Sequence, residues 1–78
     1  MEMLQNNPIV TDEMKEACAI EAMRSMLQRY SQDNNMTFED ALLAFANSTT
    51  YQALFDFETA VWKEGSDYLR CLFEKAHP

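Results

Sequence analysis

Residues 37–55, TFEDALLAFANSTTYQALF, decide the fold. At about 100° of turn per residue, Phe38, Ala41, Leu42 and Phe45 fall on one side of a helix, and Leu43 and Ala46 widen its apolar surface. Thr37, with Asp40 three residues on, resembles a capping box with the shorter acid, so the helix begins at Phe38. This short helix is expected to be the most enclosed element and the centre of the core. Asn47 tolerates the left-handed conformation that closes helices, and Ser48 is a good cap for a new one. A third helix is therefore expected over residues 49–55, with Tyr51, Leu54 and Phe55 facing inward.

Upstream, Thr11 can cap a first helix, and Asp12 and Glu13 place negative charge at the positive end of its dipole. The periodicity predicts helix over 12–30. Ala19, Ile20, Met23, Met26, Leu27 and Tyr30 gather on one arc, with Glu21, Arg24, Ser25 and Gln28 opposite. The turn formers of 31–36, SQDNNM, are expected to end it. Residues 1–10, with Asn6, Asn7 and Pro8 and no sustained period, read as a loose arm.

Downstream, 56–64 (DFETAVWKE) is ambiguous: Phe57 and Val61 suit a helical turn, while Thr59, Val61 and Trp62 also suit an extended piece. A helical turn is the preferred reading. Gly65 closes that segment and Ser66 caps a last helix over 67–75, whose stripe is Leu69, Leu72, Phe73 and Ala76, with Tyr68 alongside and Arg70 and Lys75 pointing away. The expectation is an all-α fold: one domain over 11–78, a small bundle of four short helices with room for a fifth.

The totals agree with a small globule. Of 78 residues, 47% are hydrophobic and 12% aromatic, with one Gly and two Pro, so the chain has the material for a core. The longest unbroken apolar run, residues 41–46, is far short of the ~20 residues a membrane span needs. The first ten residues lack the basic start and apolar run of an export signal, which points to a reducing cytoplasm. There Cys18 and Cys71 are expected to be small buried or half-buried thiols, not a disulfide.

The chemistry-bearing residues are sparse. Catalysis needs a nucleophile with a base, convergent carboxylates or a metal, and the one histidine, His77, stands beside Pro78 at the end of the sequence. Cys18, Cys71 and His77 lack the paired spacing of a zinc site. Asp12 with Glu16, and Glu39 with Asp40, read as first-turn acids that suit the helix dipole. A single Gly excludes phosphate-cradling loops. No catalytic, cofactor-binding or metal-binding residue is therefore assigned, and the chain is not read as an enzyme.

Charge narrows the partners. Thirteen acids against six bases give a net charge of -7, which repels nucleic acid and anionic membranes. The helix, turn and helix of 38–55 has the outline of a DNA-reading motif. Yet no Lys or Arg occurs from Tyr30 to Trp62, so its second helix has nothing to neutralise phosphates. Another protein, or a second copy of the chain, is the expected partner. Trp62, flanked by Val61 and Lys63, is the candidate anchor because Trp is a frequent hot-spot residue, and Val61 and Tyr51 are the other two candidate contacts; the alternative for Trp62 is a lid over the core.

Three stretches, 37–45 (TFEDALLAF), 48–54 (STTYQAL) and 66–69 (SDYL), in that order and spacing resemble a family of short, uncharacterised bacterial helical domains with a Ser-x-Thr-Tyr segment and a closing Tyr-Leu helix. The resemblance covers roughly residues 11–75. It implies an all-helical, cytoplasmic bacterial protein. Relatives encoded beside small toxin-like enzymes imply a regulatory or neutralising partner role. Relatives often carry a histidine near the position of Trp62, so this chain departs from that pattern, and no catalytic residue carries over.

Overall fold

A computed structural model describes residues 11–76, in which the chain forms four α-helices and one short 3-10 turn. They are α1 (Asp12–Asp33), α2 (Phe38–Ala46), α3 (Thr49–Leu54), the 3-10 turn Val61–Lys63, and α4 (Ser66–Ala76). No strand occurs among the described residues, so the fold is the small all-α bundle expected. The segment 1–10 read as a loose arm lies outside the described residues, as does His77.

α1 is the long element against which α2, the 3-10 turn and α4 all pack. Thr11 caps it through its hydroxyl, which accepts from Met14 N at 3.1 Å. The helix then runs one turn further than expected, to Asp33. Ser31 is buried and its hydroxyl donates to Gln28 O at 3.1 Å, so a residue read as a turn former is satisfied inside the helix. The stop comes at Asn35, whose φ of 54° is left-handed. Met36 N donates to Ser31 O at 2.9 Å and Asn35 N to Gln32 O at 3.3 Å, the paired bonds that satisfy the last carbonyls of a helix closed this way.

The core comprises Ala19, Ala22, Met26 and Leu27 from α1, Ala41 and Phe45 from α2, Leu54 from α3, Val61 from the turn, and Leu69 and Phe73 from α4. Rings connect the elements edge to face. Tyr30 lies 5.1 Å from Phe73, Phe73 5.2 Å from Phe45, and Phe45 5.9 Å from Tyr51 between centroids. Met23, Phe38, Leu42, Phe55 and Leu72 pack half-buried around this centre.

Several expected positions shift. Ile20 is 44% exposed, because the apolar arc of α1 centres on Ala19, Ala22 and Met26 and leaves Ile20 at its outer edge. α2 is not the most enclosed element. Its Leu43 is 63% exposed and Ala46 is also on the surface, since both lie across the helix from Ala41 and Phe45. Asn47 closes α2 with φ -93°, not left-handed; its side-chain amide donates to Leu43 O at 3.0 Å instead. α3 ends at Leu54, and Phe55 is its half-buried cap. α4 begins at Ser66, one residue early, after Gly65 at φ 90°. Ser66 is thus a helical residue whose hydroxyl accepts from Arg29 Nη2 at 3.1 Å. Leu72 is half-buried and Ala76 exposed, so the inner stripe of α4 is Leu69 and Phe73.

Candidate interaction site

The ambiguous segment 56–64 resolves into hydrogen-bonded turns. Asp56 Oδ1 accepts from Glu58 N at 3.2 Å, and the Thr59 hydroxyl lies 2.9 Å from both Ala53 O and Asp56 O. These bonds tie the loop back to the end of α3 and set up the 3-10 turn, matching the helical-turn reading over the extended one. The turn divides the three candidate contact residues. Val61 points into the core at 9% exposure, so little of it is left for a partner. Trp62 is half-buried and packs against the core, with Lys15 Nζ 5.6 Å from its ring centroid. Tyr51 is half-buried, 5.9 Å from Phe45 and 4.9 Å from Phe55, so the structure makes it chiefly part of the aromatic core.

Trp62 has a second neighbourhood that the sequence did not reveal. It forms a wall of a groove of about 480 Å³ between α1 and the start of α4. Ala17, Cys18, Glu21, Ala22 and Ser25 line its α1 side, and Lys63, Gly65 and Ser66 the other. Small side chains leave the groove open; Trp62 supplies its one large apolar surface.

The thiols are not where they were expected. Cys18 and Cys71 are both free and both exposed, because each falls on the outer face of its helix. Arg70 likewise does not point away. Its Nη1 donates to Asp33 Oδ2 at 2.6 Å and its Nε to Glu74 Oε2 at 2.8 Å, while its guanidinium lies 5.6 Å from the Tyr30 ring centroid. Hydrogen bonds from Arg70 to Glu74 and to Asp33 raise the Arg70 pKa further above its ordinary value.

Every arginine is engaged in this way. Arg24 pairs with Glu21, Arg29 with Asp67 at 2.7 Å, and Arg70 ties α4 to the end of α1. The hydrogen bond and charge of Arg24, with a smaller contribution from Ser25, hold the Glu21 carboxyl below its ordinary range. By contrast, Glu39, Asp40, Asp56 and Glu58 are exposed and form no ion pair among the described residues. The surface thus carries acids left over after the guanidinium groups are spent internally.

Among the described residues, no group of three His, Cys, Asp or Glu side chains is placed to hold a metal ion. No described helix is long and apolar enough to cross a membrane. No protein-family model, curated protein or solved structure matches the chain.

Proposed function

We propose that this chain is a small acidic protein-interaction module that acts in a reducing cytoplasm by covering a basic surface on another protein. The observation that carries the reading is the division of charge: all three arginines hold carboxylates of the same molecule, while Glu39, Asp40, Asp56 and Glu58 are unpaired in a stretch without Lys or Arg, the unpaired Lys15, Lys63 and Lys75 lying outside it. Unpaired charges of one sign steer association with the opposite sign and choose among partners more than they add affinity. The absence of Lys and Arg from Tyr30 to Trp62 speaks against nucleic acid for the same reason. Two free, exposed thiols suit a compartment that keeps them reduced. Within this class, the resemblance favours a neutralising partner of a bacterial toxin-like protein, whose basic surface the module would occupy.

The test is comparative capture from the native host at moderate salt. The tagged chain is set beside a variant with Glu39→Gln, Asp40→Asn, Asp56→Asn and Glu58→Gln. Amides keep the shape and most hydrogen bonds, including the one Asp56 Oδ1 accepts from Glu58 N. A specific protein with a basic surface is expected with the native chain and is lost or sharply reduced with the variant. Recovery of no specific protein, or of the same protein equally by both, would refute the reading.

A further inference from the structure

Two surface features, one on α2 and one between α1 and the start of α4, complement each other in charge. On α2, Leu43 is the most exposed large apolar side chain described, at 63%. It follows Glu39 and Asp40 by about one helical turn and precedes Ala46, so the outer face of α2 is an apolar knob beside two unpaired acids. The second feature is the Trp62 groove, lined on its α1 side by Ala17, Cys18, Glu21, Ala22 and Ser25. Glu21 is held by Arg24, so the unpaired charges beside the groove are lysines. Lys63 lines it and Lys15 lies over the Trp62 ring, and neither lysine meets a carboxylate among the described residues. Leu43 does not line the groove of its own molecule.

We propose that the groove receives Leu43 from a second copy of the chain, with Glu39 and Asp40 of that copy against Lys15 and Lys63. The leucine covers the exposed part of the Trp62 ring, and the small side chains beneath allow α2 to approach closely. A second copy fits better than an unrelated partner because both halves of the contact, unpaired acids on one and unpaired lysines on the other, are present on one chain. The contact is heterologous: the donor's groove and the acceptor's Leu43 stay free, so association continues with concentration instead of stopping at a symmetric pair. A net charge of -7 on each copy opposes it, which places it among weak, transient contacts.

Sedimentation equilibrium of the full chain, at concentrations up to about 1 mM where weak encounters register, is the test. The weight-average mass of the native chain is expected to rise with concentration. Leu43→Glu and Lys63→Glu change exposed side chains and leave the core untouched; circular dichroism checks that both variants fold. Each alone is expected to weaken association about tenfold or more. Mixed together, the two variants still offer one intact pair, the Leu43 of one and the groove of the other. They are expected to form a 1:1 dimer that grows no further. A native chain that keeps a single monomer mass throughout would overturn the proposal. Association that survives both substitutions, or a mixture that stays monomeric, would do the same.

Discussion

Phe45 of α2 meets Phe73 of α4 edge to face, with ring centroids 5.2 Å apart and an interplanar angle of 80°. These two fully buried rings join helices that are distant in sequence, and Tyr30 and Tyr51 extend the contact to α1 and α3. Truncating Phe45 to Ala would remove one of the two inner rings of this series. A buried Phe→Ala change costs about 3–5 kcal/mol, and a domain of this length has roughly 4–12 kcal/mol in all. Phe45→Ala is expected to leave a marginal or unfolded chain, and Phe45→Leu a folded, weakened one, as read by urea melts. Equal midpoints for Phe45→Ala and the native chain would contradict the role given to this ring.

Ser48 carries the junction of α2 and α3. Its buried hydroxyl donates to Phe45 O at 2.6 Å and accepts from Tyr51 N at 3.2 Å, so one oxygen serves the end of one helix and the start of the next. Ser48→Ala is expected to cost about 1–2 kcal/mol, since it removes a cap and reduces the bonding of a buried carbonyl. Ser48→Thr, which keeps the hydroxyl, is expected to lose less. Thermal melts of the three chains decide it.

Gly65 is held at φ 90°, and a Cβ added there would meet nothing within 4 Å. The cost of Gly65→Ala is therefore conformational and not steric, about 1 kcal/mol or somewhat more. For a domain of this size that is a fall in Tm of roughly 4–8 °C. An unchanged Tm would show that the turn relaxes to negative φ.

The Glu21 carboxyl lies below its ordinary range because Arg24 donates to it and holds opposite charge beside it. A carboxyl with a depressed folded pKa contributes stability above its unfolded value and loses it as pH falls through the folded one. Glu21 is exposed, so the dependence is shallow and best read at the residue itself. NMR titration is expected to place the Glu21 midpoint higher in Arg24→Ala than in the native chain. Coincident midpoints would remove Arg24 as the cause.

The legible parts of this fold were those set by local periodicity and caps. Thr11, Thr37 and Ser48 cap the first three helices as their positions imply, and the stripe of Met26, Leu27, Phe45, Leu69 and Phe73 is the core. The overrun of α1 was hidden because Ser31, Gln32 and Asp33 favour turns by composition, whereas the burial of Ser31 depends on what packs beside it. The inward turn of Val61 was equally hidden. Three residues have no period, and only the packing of the 3-10 turn on α1 decides which side chain enters the core. The groove beside Trp62 arises between α1 and α4, so its lining residues are separated in sequence and no linear motif marks them. Free thiols tend to be buried, but the helical phase of Cys18 and of Cys71 overrides that tendency and leaves both exposed.

The most direct test of the acidic-module reading is the salt dependence of binding, measured by calorimetry between this chain and the partner recovered from the host. The native affinity is expected to fall steadily as salt rises, because unpaired surface carboxylates are screened over about 10 Å at 0.1 M. Neutralising Glu39, Asp40, Asp56 and Glu58 is expected to lower the affinity and flatten that slope while the chain remains folded. An affinity indifferent both to salt and to those four substitutions would contradict it.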